Sequence, residues 1–353
     1  MLTRVPGLTD VHVHLREPGA THKEDWDSGT SAALAGGFTT VLAMPNTNPA
    51  ITGDETLKTS LRAAQAKAHC DYAQYIGAGL TNSDAAPTLA GKAAGLKMYL
   101  DQTYGNLKLD DMTSWMPHFA NWPTDFPLCV HAEGKTMAAA ILFADIFKRS
   151  IHICHVSRCE EIRLIRAAKE KGLQITCEVT PHHLFLCQDD IPALGAGRSE
   201  VRPSLATEAD REALWENLDV IDCFATDHAP HTLAEKEGQN PPPGFPGLET
   251  IFPLLLTAVK ERRLTLEDLL LRLHTNPRKI FGLPEQPDTY IEVDLDATYE
   301  VRAANQHTRC GWTPFEGWQV TGRVERVVLR GQVALEHGRV LAAPGFGRNV
   351  RPY

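Results

Sequence analysis

The chain has 353 residues, 43% hydrophobic and 22% charged, enough apolar material for a sizeable core. A formal net charge of −9 and a pI near 5.9 argue against nucleic-acid or membrane-surface partners, which require basic patches. No uncharged apolar run reaches the roughly 18 residues that span a bilayer. The opening residues do not read as a signal peptide. Eight scattered cysteines lack the spacing of a disulfide framework, so a soluble protein of the reducing cytoplasm is expected.

Length alone allows two average domains or one large barrel. Short β-branched runs predict strands over 9–15, 39–44, 71–78, 95–100, 128–132, 151–156, 174–179 and 220–225. Helical patterns at 54–68, 135–148, 160–171 and 208–218 lie between them. Eight strands in βα alternation predict an α/β fold with a parallel sheet closed into a (β/α)8 TIM-type barrel over residues 1–290. A doubly wound open sheet would carry a Gly-rich phosphate turn after its first strand, and none is present. "GQNPPPGFPGLET" after the eighth strand reads as a stiff loop, either plain surface or the wall of a pocket. Helical patterns follow at 251–260 and 266–273. Residues 291–353 revert to strand-like segments with turn signals at Gly331 and Gly338, a small C-terminal β extension packed beside the barrel. The chain is expected to begin directly on the first barrel strand, as an excised domain or truncated piece would.

Several polar residues do not suit a core. His12 and His14 in "LTDVHVHLREPG" are two apart on a strand and so share one face. An isolated HxH is equally a pair of satisfied core histidines. The anomaly recurs, however, at the C-terminal ends of other strands: Lys97 in "GLKMYL", His131 in "LCVHAE", His155 in "IHICHVS", and Asp227 with His228 in "IDCFATDHAP". Barrel active sites are assembled at those ends. Four imidazoles and a carboxylate suit zinc or a similar divalent ion. Two ions would need an anionic bridge, which Lys97 could supply as a carbamate. Burial is expected to depress its pKa and free the amine lone pair.

With these residues the chain resembles the amidohydrolase superfamily and, within it, the dihydroorotase family. The type that it resembles is joined in animals to carbamoyl-phosphate synthetase and aspartate transcarbamoylase in one polypeptide. The likeness covers nearly the whole chain through "DVHVHLREPG", "MPNTNP", "GLKMYL", "HICHVS", "CEVTPHHLFL", "EVRPSL", "FATDHAPHT", "PPPGFPGLET" and "WTPFEG". It implies one zinc on His12, His14, carboxylated Lys97 and Asp227, and a second on Lys97, His131 and His155. It further implies a third zinc held by Cys154 and Glu178 with His12, although Cys154 reads equally as a small buried hydrophobe. Arg16 and Asn46 would hold the carboxylate of dihydroorotate, Arg202 and His231 would complete the cradle, and Pro243 and Gly244 would touch the ring through their backbone. Arg202 also fits a surface salt bridge, and Asn46 a turn.

Thr103 and Tyr104 resemble the family's mobile loop, where Phe usually stands in place of Tyr104. The resemblance implies reversible cyclisation of N-carbamoyl-L-aspartate to dihydroorotate, with Asp227 as general base and acid. It also implies a cytoplasmic homodimer acting on a small molecule, in a chain that could belong to a larger multifunctional polypeptide. Dihydropyrimidinases, hydantoinases and allantoinases share the barrel and metal pattern but act on uncharged rings, and some amidohydrolase-like chains serve only as scaffolds.

Overall fold

The barrel wall is built from runs in which nearly every side chain is buried, as expected for parallel strands covered on both faces. The computed structural model describes residues 2–351. After a short strand β1 (Thr3–Pro6), the wall runs through β2 (Leu8–Val13), β3 (Phe38–Ala43), β4 (Asp71–Gln74), β5 (Ile76–Gly77), β6 (Leu96–Tyr99), β7 (Leu128–His131), β8 (Ile151–Ile153), β9 (Ile175–Val179) and β10 (Cys223–Phe224). All ladders in the wall are parallel.

β4 and β5 are the halves of one predicted strand, parted at Tyr75. The Tyr75 N–H donates to Ala43 O at 2.9 Å, whereas Ile76 N–H donates to Gly95 O at 3.0 Å, so the strand changes partner at that residue. The seam between last and first strands is narrow. A bridge pairs Val13 with His228, and His14 N–H donates to His228 O at 2.7 Å. Asp10 reinforces it, accepting from Thr226 N–H at 3.2 Å and from the Thr226 hydroxyl at 2.5 Å.

The anticipated helices form at Asp54–Lys67, Lys135–Ile146, Cys159–Glu170, Glu208–Glu216 and Ile251–Lys260. The pattern predicted over 266–273 is shorter as an α-helix, Leu266–Leu270, and continues as a π turn over Leu271–Thr275. Besides several short turns of helix, two ten-residue helices were not among those predicted. Trp26–Ala35 is rich in small and polar residues, and a Cβ at its Gly29 would stand 2.3 Å from Leu15 Cδ2, so the helix packs closely on that side chain. Met112–Asn121 contains Pro117.

The C-terminal strands β11 (Tyr290–Glu300), β12 (Gln319–Leu329), β13 (Gln332–Glu336) and β14 (Arg339–Val340) form an antiparallel sheet beside the barrel. The chain does not open on a barrel strand, contrary to the sequence expectation. β1 pairs antiparallel with β11, Thr3 opposite Val293 and Val5 opposite Ile291. Four residues are too few to announce a strand by periodicity. This one exists because a partner waits nearly 290 residues away.

Candidate active site

The alternation of β2 does what its sequence implied. His12 and His14 reach the same space at the C-terminal mouth of the barrel, and both are buried. Asp227, just past β10, meets both: its Oδ1 lies 3.2 Å from His12 Nε2 and 3.0 Å from His14 Nε2. His155 follows β8, with Nε2 2.9 Å from Nδ1 of His131 at the end of β7. His12 Nδ1 is bonded to Glu178 of β9, whose other oxygen lies 3.1 Å from His152 Nε2. Lys97 of β6 is wholly buried, and its Nζ lies 2.8 Å from Cys154 Sγ. Arg16, His155 and Asp227 all have positive φ, +57°, +35° and +44°. Such backbone costs about 1–3 kcal/mol per residue and persists where the surroundings impose it, commonly at functional sites.

Burial lowers the pKa of His14 to about 4, drives His155 well below its ordinary range and lowers His131 as well. These imidazoles are therefore neutral at pH 7, the form that binds metal. Burial alone would raise the Asp227 carboxyl, but His12 and His14 hold it well below the usual carboxylate range. Lys97 departs from expectation. Burial pulls its ammonium down, yet Cys154 and Glu178 outweigh that effect and leave it above the ordinary lysine value. The apolar residues of its own strand suggested a depressed pKa, but the deciding neighbours come from the two strands beyond β7.

The donor set fits metal ions. Three donor atoms of His12, His155 and Asp227 lie within 4.8 Å of one another, as do three of His12, Cys154 and Glu178. His131 Nε2 and His155 Nδ1 are buried with no hydrogen-bond partner among the described residues. The Glu133 carboxylate approaches His131 Nε2 only to 3.6 Å, beyond hydrogen-bonding distance. Unpaired buried imidazole nitrogens are costly unless something else takes their lone pairs.

Beside this array a narrow cavity is lined by His14, Arg16, Asn46, Thr103, Tyr104, Arg202, Asp227, Ala229, Pro243 and Gly244. Of the predicted substrate residues, Arg16, Asn46, Arg202, Pro243 and Gly244 border this cavity, whereas His231 is buried behind Pro243, and several of them are already engaged. Asn46 Oδ1 lies 2.7 Å from His14 Nδ1, and its amide donates to Tyr104 O at 2.9 Å, so Asn46 joins an imidazole to the loop. Pro243 O lies 3.0 Å from His231 Nε2. Gly244 donates to Glu200 O and accepts from Lys236. Its φ is +144°, and a Cβ would fall 2.4 Å from Ala229 O, so only glycine lets this loop approach the strand end. Arg202 borders the cavity while paired with Glu200 at 3.0 Å. His228 turns away, accepting from Gly247 N–H at 3.1 Å and facing Glu24 at 3.3 Å.

Sequence reasoning missed His152, which braces Glu178, His182, a buried imidazole with an unpartnered Nε2, and Lys23. The "PHH" run after β9 was a usable signal for His182. Lys23 gave none.

A (β/α)8 barrel with buried imidazoles, a lysine and a carboxylate at its C-terminal mouth, a set that could hold metal ions, defines an amidohydrolase type of protein. A family model described as "Dihydro-orotase-like" matches residues 3–104. The chain is 36% identical over 365 residues to a dihydroorotase of Pyrococcus furiosus, covering 98% of this chain and 85% of that one. It is 58% identical over 352 residues to the multifunctional protein CAD of Squalus acanthias, covering 100% of this chain but only 16% of that protein. Among solved structures it resembles an L-hydantoinase of Arthrobacter aurescens, with TM-score 0.93, 25% identity and coverage of 99% and 89%. It also resembles the inactive dihydroorotase-like domain of a CAD-like multifunctional protein of Chaetomium thermophilum, with TM-score 0.85, 30% identity and 99% coverage of both chains. The chain belongs to the dihydroorotase family.

Proposed function

We propose that this chain interconverts N-carbamoyl-L-aspartate and L-dihydroorotate as the dihydroorotase step of pyrimidine synthesis. The observation that carries the reading is Arg16. Its guanidinium is buried, 3% exposed, and forms no ion pair among the described residues. A buried cation without an anionic partner is costly, and a ligand carboxylate would relieve it. Uncharged rings offer no such group.

In the hydrolytic direction, Asp227 takes a proton from water as the water oxygen bonds to the ring amide carbon. It then delivers that proton to the ring nitrogen as the carbon–nitrogen bond breaks. Ring closure reverses these steps. Asp227 is placed for both roles because its carboxylate borders the cavity while it is held against His12 and His14. His12, His14, Lys97 and Asp227 would hold one zinc ion, and Lys97, His131 and His155 a second. A third would sit among His12, Cys154 and Glu178. When bound, such ions ease ionisation of water near neutral pH and withdraw charge from a carbonyl oxygen.

Lys97 would serve as a carbamate: its amine nitrogen bonds carbon dioxide, loses one proton and gains two anionic oxygens. An ammonium beside cations is disfavoured, which opposes the upward pull of Glu178. The chain spans about a sixth of the multifunctional relatives that it matches. We read it as such a module, a homodimer of the cytoplasm working on a small molecule. No helix among the described residues is long and apolar enough to cross a membrane.

The test is turnover of L-dihydroorotate against dihydrouracil and hydantoin, paired with metal content per chain. Dihydroorotate as the preferred substrate of metal-loaded protein supports the reading. Preference for an uncharged ring would replace it with hydantoinase chemistry. A loaded protein that turns over none of the three would overturn the enzymatic reading and favour a scaffold.

A further inference from the structure

Lys23 belongs to no part of the site described so far, yet it is 5% exposed and its ammonium is fully engaged. Nζ lies 2.9 Å from His231 Nδ1, 3.1 Å from Glu235 Oε1 and 3.4 Å from the Tyr104 hydroxyl. An ammonium has three donors and no acceptor. Its contact with His231 therefore requires a lone pair on Nδ1, which leaves the proton of the neutral ring on Nε2. The ring is neutral: burial lowers its pKa far below the ordinary histidine value, and the Arg16, Lys23 and Lys236 cations add to the effect.

The consequence is felt on the other side of the ring. Nε2–H has Pro243 O at 3.0 Å, and Arg16 Nη2 stands 3.0 Å from the same nitrogen. Two N–H donors cannot bond each other. With the His231 proton held by Pro243 O, Arg16 Nη2 finds no acceptor on the ring and is left for an anionic oxygen in the cavity that Arg16 lines. In the opposite tautomer Arg16 would donate to His231, Pro243 O would face a lone pair, and Nδ1–H would face an ammonium.

We infer that Lys23 is a positioning residue that fixes His231 in the Nε2–H tautomer, so that the ring holds Pro243 O and leaves Arg16 Nη2 free for the substrate carboxylate. The substrate half of this inference rests on the function proposed above. The tautomer half does not.

The experiment is long-range ¹⁵N–¹H spectroscopy of the whole chain labelled at histidine, with His231→Asn identifying the signal, alongside steady-state kinetics. The parent protein should show His231 protonated at Nε2. Lys23→Met should move the proton to Nδ1 and raise KM for dihydroorotate about tenfold, with kcat within about twofold. Lys23→Arg, which keeps a charged donor, should restore the parent spectrum. A parent His231 protonated at Nδ1 would overturn the inference, as would an unchanged tautomer in Lys23→Met. Should Lys23→Met fail to fold, the parent and Lys23→Arg spectra decide. A tautomer switch in a protein inert toward dihydroorotate would uphold Lys23 and overturn the substrate reading instead.

Discussion

Replacing Arg16 by methionine separates binding of a charged substrate from maintenance of the fold. The Arg16 Nε donates to Pro230 O at 3.1 Å, which leaves Nη1 and Nη2 for a ligand. Hydrogen bonds to charged groups contribute about 1.5–3 kcal/mol each, so losing both removes about 3–6 kcal/mol from transition-state binding. At about 1.4 kcal/mol per tenfold, kcat/KM for dihydroorotate should fall by about 10² to 10⁴. The lower end is expected, because Lys23 remains nearby to supply positive potential, with Nζ 2.9 Å from His231. Stability should behave differently. Arg16 makes no ion pair among the described residues, and its burial is unfavourable, so the variant gives up only the bond to Pro230 and the contact with the Tyr104 ring. Parallel steady-state assays and urea unfolding check both halves. A variant within about threefold of the parent in kcat/KM would show that the carboxylate does not bind at Arg16. A variant that unfolds readily would show that the guanidinium serves the fold.

Asp227→Asn removes the proton carrier while preserving shape, and turnover in both directions should fall about 10²- to 10⁴-fold, measured on metal-replete protein. Tyr104→Phe keeps the ring that lies 4.8 Å from the Arg16 guanidinium and 4.9 Å from His231 but loses the long bond to Lys23. KM should rise only about two- to fivefold, as expected for one weak hydrogen bond. Cys154→Ser should lower zinc content by one ion per chain, measured by elemental analysis, and an unchanged count would remove the third site. Glu249 offers a pH test away from the catalytic cluster. Burial, joined by Glu24, pushes its carboxyl up to about 8 from 4.5, although N–H groups of His307 and Thr308 pull it down. Between those values the folded chain holds a proton that the unfolded chain has released, so stability present below pH 4.5 is lost as pH rises through 8. Glu249 is only partly buried and lines an open cavity, which tempers the effect. Glu249→Gln should therefore exceed the parent by about 1–2 kcal/mol above pH 8 and by little at pH 5, read from urea midpoints.

The sequence carried orientation well and neighbourhood poorly. Strand alternation placed His12 and His14 on one side, and βα spacing put Lys97, His131, His155 and Asp227 at the same end of the barrel; both follow from local periodicity. Properties that depend on which distant residue fills the adjacent space did not follow. Lys97 was expected to carry a lowered pKa because its own strand is apolar, but Cys154 and Glu178 stand beside it and reverse the sign. Asn46 read as either a ligand contact or a turn, whereas it bonds both His14 and the Tyr104 carbonyl. Lys23 was illegible for the same reason. Its three acceptors sit at positions 104, 231 and 235, and no spacing near residue 23 encodes them. Ligand identity at such a site can be read from strand ends, because a metal demands particular atom types. Tautomers and proton affinities are set by the next layer of contacts, which forms only when separate segments meet. Substitutions in that layer should therefore change KM and pH response while leaving metal content intact, the reverse of what substitutions on the strand ends should do.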